Sequence, residues 1–531
     1  MPSWTLRVLF ARRLDYRNAL FEIIRSGLDA FRPGHRQQYR RGASKPAFPR
    51  RALIITHKFG GRDLFASSGR NKRMWSEYEL RSAKLGDRRL NRRLAILVES
   101  LAARPEASVP QATGSWAAAK AAYRFWDNDR VSPEAILAAH RDSVRDRLTG
   151  TGPVLAIQDT TALDWTSHPA TSGLGYLSNR RKVGLLAHSV LAADPDGVPL
   201  GLLYQHVWAR LPEELGHREL RSKLPTKAKE TQRWIDALSA TEAALPPEVM
   251  VVTVADREAD FYDLFAATRR DGSHLLIRAK PRRRVRHAEN LLDRALRTEP
   301  VRGAFDVEIP RGPGRPARVA SLTARFAAVA LAPPLTRRVG DRLPDLPVTA
   351  ILAEEASPPE GQEPIRWWLL TTLPVTTLAE AERMVLWYSR RWLIERYHYV
   401  LKSGCRVEQL QLEDASRLRR ALATYAVVAW RLLWLTCRAR QDPEGTCDAV
   451  IPGTSWQILH RAVERSEPPE RAPGLRAAVR QLARLGGFLG RASDGEPGVT
   501  TLWRGLRRMD DLILGWTLAQ QASRASPPTC G

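Results

Sequence analysis

The spacing of apolar and polar residues divides the chain into distinct regimes. From Trp75 to about Arg145, apolar residues recur at helical intervals. In LGDRRLNRRLAILVESLAARP they fall on one face, with Arg88, Arg89, Arg92 and Arg93 near the start. SWAAAKAAYRFWDNDRVSPEAILAAHRDSVRDRL predicts two more helices, the second capped by Ser132 with Glu134 in its first turn. From Val154 the period changes. VLAIQDTTALDW, KVGLLAHSVLAAD and PLGLLYQHVWAR read as strands, and RSKLPTKAKETQRWIDALSATEAAL as a helix. EVMVVTVADREADFYDLF then reads as strand, acidic turn and helix, and HLLIRAKPRRRVRH as a strand running into basic residues. Strands alternating with helices predict an α/β sheet. FDVEIPR, ARVASLTARFAAVAL, VTAILAEE and IRWWLLTTLPV break the alternation and predict an all-β insertion. One helix is expected from about Leu378 to Lys402, followed by a mostly helical C-terminal region.

Composition adds a partner. The 531 residues are 44% hydrophobic and 26% charged, which suits globular domains with sizeable cores. The net charge of +26 points to a polyanion, most commonly nucleic acid. Residues 1–73 hold 17 Lys or Arg against 4 Asp or Glu, with poor periodicity. They read as a basic arm, an extra domain, or upstream sequence read from too early a start codon. The last is favoured, because Met74 directly precedes the first organised segment. Cys405, Cys437, Cys447 and Cys530 form no CxxC pair and no zinc spacing, as expected of reduced thiols in a cytoplasmic protein. No run of about 18 apolar residues occurs, so no membrane span is expected.

Two acidic clusters follow apolar strands: AIQDTT with Asp159 and VTVADREAD with Asp256. Ligands bind outside strand carboxyl ends, so such carboxylates are candidates for chemistry. Each could equally be a turn or a helix cap, and Asp164, Glu258, Asp260 and Asp263 compete with them. A third carboxylate lies in YSRRWLIERYHYVLKSG, where Tyr388, Arg391, Glu395 and Lys402 share one face at helical spacing. Asp159, Asp256 and Glu395 together would offer the oxygen ligands that Mg²⁺ requires. The neighbouring Arg391 and Lys402 suit a phosphodiester substrate. His398 lies off the stripe and receives no role.

Taken together, these motifs give the chain a pattern that resembles the bacterial DDE transposases of the insertion-sequence-four family, in the transposon-five branch. The resemblance rests on LGDRR, AAYRF, AIQDTTAL, ADREAD, IRAK, WWLLTTLPV, ARLGGF and the Tyr, Arg, Glu, Lys helix signature. It spans roughly residues 75–520. It implies an α/β ribonuclease-H-like catalytic core, interrupted by the β insertion, with helical N- and C-terminal domains. The expected layout is a basic extension over 1–74, a DNA-binding domain over 75–145 and the first part of the core over 146–280. The β insertion covers 281–375, the glutamate helix 376–404 and a dimerisation region 405–531. The resemblance implies an Asp159, Asp256, Glu395 triad holding two Mg²⁺ ions, with Mn²⁺ as a substitute. It further implies DNA contacts from Tyr388, Arg391, Lys402, Arg278, Lys280, Arg124, Arg88 and Arg89, and a flipped base on Trp367. Partners would be double-stranded DNA, at transposon inverted repeats and at a target, and a second copy of the chain. A DNA-binding inhibitor without activity and a nuclease without strand transfer are the alternatives.

Overall fold

The computed structural model describes residues 74–525 except 149–151, 179–180, 212–223, 310–316, 336–342, 452 and 492–493. The expectation for the basic N-terminal segment therefore lies outside the described residues. The described residues open with five helices: α1 (Trp75–Glu79), α2 (Arg88–Ala103), α3 (Val109–Thr113), α4 (Trp116–Asp127) and α5 (Pro133–Asp146). Side-chain caps set three of these starts: Asp87 receives the Arg89 N–H, Ser115 that of Ala118 and Ser132 that of Ala135.

The sheet begins with β1 (Val154–Asp164), β2 (Gly175–Tyr176), β3 (Val183–Ala193) and β4 (Pro199–Trp208). Helix α6 (Gln232–Ala244) leads to β5 (Val251–Ala255), a short helix α7 (Tyr262–Ala266) and β6 (Ser273–Arg278). β1 pairs antiparallel with β3 and parallel with β5, and β5 runs parallel to β6. The first half of β1 is buried. Its polar residues begin mid-strand, with buried Gln158 and half-buried Asp159, Thr160 and Thr161, rather than at the carboxyl end expected from the sequence. β5 is buried throughout and ends one residue before Asp256. Ile157 is level with Val254 in the parallel pair. Asp159 lies two residues beyond that pair on β1, and Asp256 two residues beyond it in the turn that follows β5.

The expected all-β insertion needs one correction. It contains a two-turn helix, α8 (Leu292–Thr298), after the short β7 (Val285–Arg286). Leu292, Ala295 and Leu296, at helical spacing, are buried there, and Asp293 accepts the Trp368 indole N–H at 3.0 Å. The insertion is also continuous with the core sheet. Among the described residues, β8 (Gly303–Ile309), β9 (Arg318–Leu331), β10 (Leu346–Glu355) and β11 (Arg366–Thr371) extend it through antiparallel β11–β6 pairing, giving eleven strands. Strand periodicity reports which face is buried, not which edge a strand joins.

The glutamate helix is likewise not one helix. It comprises α9 (Leu378–Ser389), a tight turn at Arg390 and Arg391, α10 (Trp392–Tyr399) and a π-helical turn over Val400–Gly404. The Arg390 and Arg391 N–H groups bond three residues back, to the carbonyls of Trp387 and Tyr388. Side-chain polarity does not encode such changes of hydrogen-bond step, and π turns cluster at functional sites.

Helix α11 (Ala415–Gln441) is buried around most of its girth and serves as a central pillar. Thr424 accepts the Trp126 indole N–H at 3.2 Å, and the Trp430 indole bonds the Pro199 carbonyl at 2.9 Å. The pillar thereby touches both the N-terminal helices and the sheet. Three further helices, α12 (Ser455–Glu464), α13 (Leu475–Leu485) and α14 (Val499–Ala525), close the chain over a separate apolar cluster.

A buried polar network ties the N-terminal helices to β4. Arg147 grips Glu79 with two hydrogen bonds, at 2.7 and 3.0 Å, and donates to the Leu200 carbonyl at 2.7 Å. His140 Nε2 accepts the Leu202 N–H at 2.9 Å, so its proton sits on Nδ1 and is donated to Glu79 at 2.6 Å. Burial pushes the His140 imidazole below its ordinary value, consistent with this neutral form. Burial works against the Glu79 charge, but His140 and Arg147 outweigh it and hold the carboxyl down at about 2.

Candidate active site

Asp159, Glu395 and Lys402 line one open cavity of about 370 Å³, together with Thr160, Thr161, His398, Tyr399 and Ser403. β1 delivers Asp159, and α10 delivers Glu395 and His398 one turn apart. The π turn carries Lys402, whose ammonium donates to the Ala162 carbonyl at 2.9 Å and lies 3.5 Å from Glu408. Asp256 adjoins this group at the end of β5.

Each aspartate is held by a nearby backbone amide. Asp159 Oδ1 accepts the Thr160 N–H at 2.8 Å, and Asp256 Oδ1 accepts the Glu258 N–H at 2.9 Å. Asp256 does therefore cap a short helical turn, Arg257–Ala259, as the competing reading of the sequence allowed. The rival carboxylates have other partners. Asp260 is buried against Arg283 and the Lys280 N–H, Glu258 is exposed and paired with Arg233, Asp164 pairs with Lys182, and Asp263 accepts the Thr226 hydroxyl.

The electrostatics show acid crowding. Burial pushes the Asp159 carboxyl up to about 7; the charges of Asp256 and Glu395 add to the rise, while the Thr160 N–H and Arg391 oppose it. Arg391 donates to Glu395 at 2.5 Å, and its guanidinium is itself buried. Burial opposes the Arg391 charge, but Tyr388, Glu395 and Asp159 outweigh it and hold the guanidinium firmly protonated. Tyr388 is buried beside Arg391 and Arg278, and among the described residues the Arg391 Nε has no hydrogen-bond partner. An unsatisfied buried donor is suited to an incoming acceptor.

His398, which sequence reasoning misses, also belongs to the site. Its Nδ1 lies 3.8 Å from Asp159 Oδ2, and burial, with Lys402 contributing, pushes it down to about 3, so it is neutral. Its position three residues after Glu395 is the available signal. Arg278 is half-buried beside Tyr388 and donates to the Arg366 carbonyl at 3.3 Å, while Lys280 is exposed. Trp367 is 6% exposed and packs edge-on against Tyr388 at 5.2 Å between ring centres. Its ring is a packing element in this conformation. Arg88, Arg89 and Arg124 are exposed on α2 and α4, away from the residues lining the cavity.

Comparison with known families covers most of this layout. A transposase DNA-binding model matches residues 72–131, a transposase DDE domain model matches 223–431, and a transposase Tn5 dimerisation domain model matches 427–526. The chain belongs to the Tn5-type transposases of the insertion-sequence-four family. It is a DNA transposase with DNA-binding, DDE and dimerisation segments. The DDE match contains Asp256 and Glu395. Asp159 lies before it, on the strand that pairs in parallel with β5, and the charges of both Asp256 and Glu395 act on its carboxyl. Among the described residues, no helix is long and apolar enough to cross a membrane.

Magnesium is the cofactor the family implies. Among the described residues, no three acidic, His or Cys side chains stand in a metal-holding arrangement. The donor chemistry nevertheless fits a hard cation: all three groups are carboxylates, and Asp159, buried with the charges of Asp256 and Glu395 acting on it, is a carboxyl whose ionised form a cation would favour. This gives a prediction for chelator-treated protein. A carboxyl whose folded pKa lies above its ordinary value contributes stability below that ordinary value and loses it as pH rises through the folded pKa. Asp159→Asn is therefore expected to be more stable than the parent by a few kcal/mol at pH 8, with the gap closing toward pH 4. Urea denaturation at the two pH values measures it. An equal gap at both would show that Asp159 is not electrostatically strained.

Proposed function

We propose that this transposase works by cutting and pasting: it binds terminal inverted repeats, cleaves the transposon ends and joins the freed 3′-OH ends to target DNA. The observation that carries the reading is that Asp159 and Glu395 line one open cavity, with Asp256 close enough to act on the Asp159 charge from just past the end of β5, the parallel neighbour of β1. The core is read as ribonuclease-H-like on the same ground. Asp159, Asp256 and Glu395 would hold two Mg²⁺ ions, which would polarise the scissile phosphate and activate the attacking oxygen.

The protein's own groups do the rest. Lys402, at the cavity wall, would bind a non-bridging phosphate oxygen. Arg391 would hold Glu395 in place and offer its free Nε to the backbone, with Tyr388 and Arg278 behind it. Water attacks phosphorus at the transposon end and the 3′ oxygen leaves as the 3′-OH. That hydroxyl attacks the phosphodiester of the opposite strand and displaces the flanking DNA's 3′ oxygen to form a hairpin. A second water attacks the hairpin phosphate and the transposon 3′ oxygen leaves again. The 3′-OH then attacks a target phosphodiester and displaces the target strand's 3′ oxygen. Each step is an in-line displacement, so one site serves all of them. Exposed Arg88, Arg89 and Arg124 would bind the inverted repeat, and two copies would pair two ends through the C-terminal region.

The test is a joining assay with Mg²⁺, plasmid DNA and the DNA flanking this reading frame. The expected result is covalent joining of 3′ ends to the plasmid. Cleavage without joining would make the protein a nuclease, and binding without cleavage would make it an inhibitor.

A further inference from the structure

One arginine outside the signature motifs contacts residues beside both aspartates, Thr160 on β1 and Glu258 in the turn after β5. Arg233, in the first turn of α6, has a side chain only 13% exposed. Its Nε donates to the Thr160 hydroxyl at 3.0 Å, and its Nη2 donates to Glu258 Oε2 at 3.1 Å. Its Nη1 donates to the Glu230 carbonyl at 2.8 Å, and the guanidinium lies 5.7 Å from the ring centres of both Trp208 and Trp234. Three hydrogen bonds and two aromatic rings leave this fork little freedom.

The two side chains it grips belong to the two residues whose amides hold the aspartates. The Thr160 N–H bonds Asp159, and the Glu258 N–H bonds Asp256. A guanidinium can only donate, which fixes the donor and acceptor roles along the chain of bonds beyond it. With Arg233 donating to the Thr160 oxygen, the Thr160 hydroxyl is free to donate to His188 Nδ1, 2.9 Å away. The His188 proton then sits on Nε2, 3.3 Å from Gln158 Oε1. His188 is fully buried edge-on against Trp234, where a neutral ring is favoured. The residues on either side of Asp159 are thus both fixed by a chain that starts at Arg233.

We propose that Arg233 is a positioning residue that sets the separation of the Asp159 and Asp256 carboxylates for divalent-cation binding. The inference rests on the assignment of those aspartates to the reaction centre. Arg233 acts through Thr160 and Glu258. Partners that orient metal-binding groups are typically worth 10–100-fold in affinity or activity.

The experiment uses the full chain with flanking DNA. Mn²⁺ binding is followed by water-proton relaxation and cleavage is followed in parallel, for the parent, Arg233→Met, Arg233→Lys, Thr160→Val, the Arg233→Met/Thr160→Val pair and Asp159→Ala. The expected result is Mn²⁺ affinity and cleavage lowered about 10–100-fold in Arg233→Met, with cleavage recovering at raised Mn²⁺. Arg233→Lys should recover part of the loss. The double variant should be no worse than its weaker parent, because one chain is cut twice. Parent-like Mn²⁺ affinity in folded Arg233→Met would overturn the proposal, as would additive losses in the pair. Asp159→Ala separates the two levels: if it still cleaves, the aspartate assignment fails; if it is inactive while Arg233→Met binds Mn²⁺ normally, only the clamp fails.

Discussion

Glu395→Gln is expected to lower cleavage at the transposon end by about 10³-fold or more, with binding of the end DNA little changed. The substitution keeps the side chain's length and leaves an amide oxygen to accept the Arg391 bond now made at 2.5 Å. Only the charge is lost. In the proposed reaction that charge holds a cation against the transferring phosphate, an effect worth several kcal/mol, and each 1.36 kcal/mol is tenfold in rate. Binding of the inverted repeat is assigned to the separate N-terminal helices, so a gel-shift assay on the same variant should show a complex. Cleavage at more than a tenth of the parental rate would remove Glu395 from the reaction centre.

Glu79→Ala is the variant expected to cost the most stability, about 3–5 kcal/mol. It removes the acceptor shared by Arg147 and His140 and leaves the guanidinium beside β4 without its counter-charge. Loss of a buried partner is costly because the remaining charge is still desolvated. The effect has a defined pH range. The Glu79 carboxyl is held at about 2, below its ordinary 4.5, so its contribution is complete above 4.5 and fades as pH falls toward about 2. Urea denaturation should show the full gap at pH 7 and a narrowing gap below pH 4. A pH-independent gap would mean that the loss comes from packing alone.

These two sites differ in how readable they are from the sequence. Asp159 and Asp256 are legible because each follows a mainly apolar run that marks a buried strand, although β1 continues past Asp159 to Asp164. Glu395 is legible because charge on a helical stripe is out of place in a core. The Glu79 network is not legible, since its members are 61 and 68 residues apart in sequence. Arg233 is 73 residues from Thr160 and carries no local sign that separates it from a surface arginine. The strand order of the insertion is hidden for a related reason: alternation gives the buried face of β11 and is silent on its pairing with β6. The break at Arg390 and the π turn leave side-chain polarity unchanged and so leave no pattern to read.

In the proposed reaction Asp159, Asp256 and Glu395 form one metal-binding centre. The most direct measurement is a crystal structure of the transposase with end DNA and Mn²⁺, with metal positions taken from anomalous scattering. Anomalous peaks are expected roughly 2 Å from carboxylate oxygens of all three residues, beside the scissile phosphate. Peaks that leave out any one of the three, or metal bound elsewhere with this cavity empty, would contradict it.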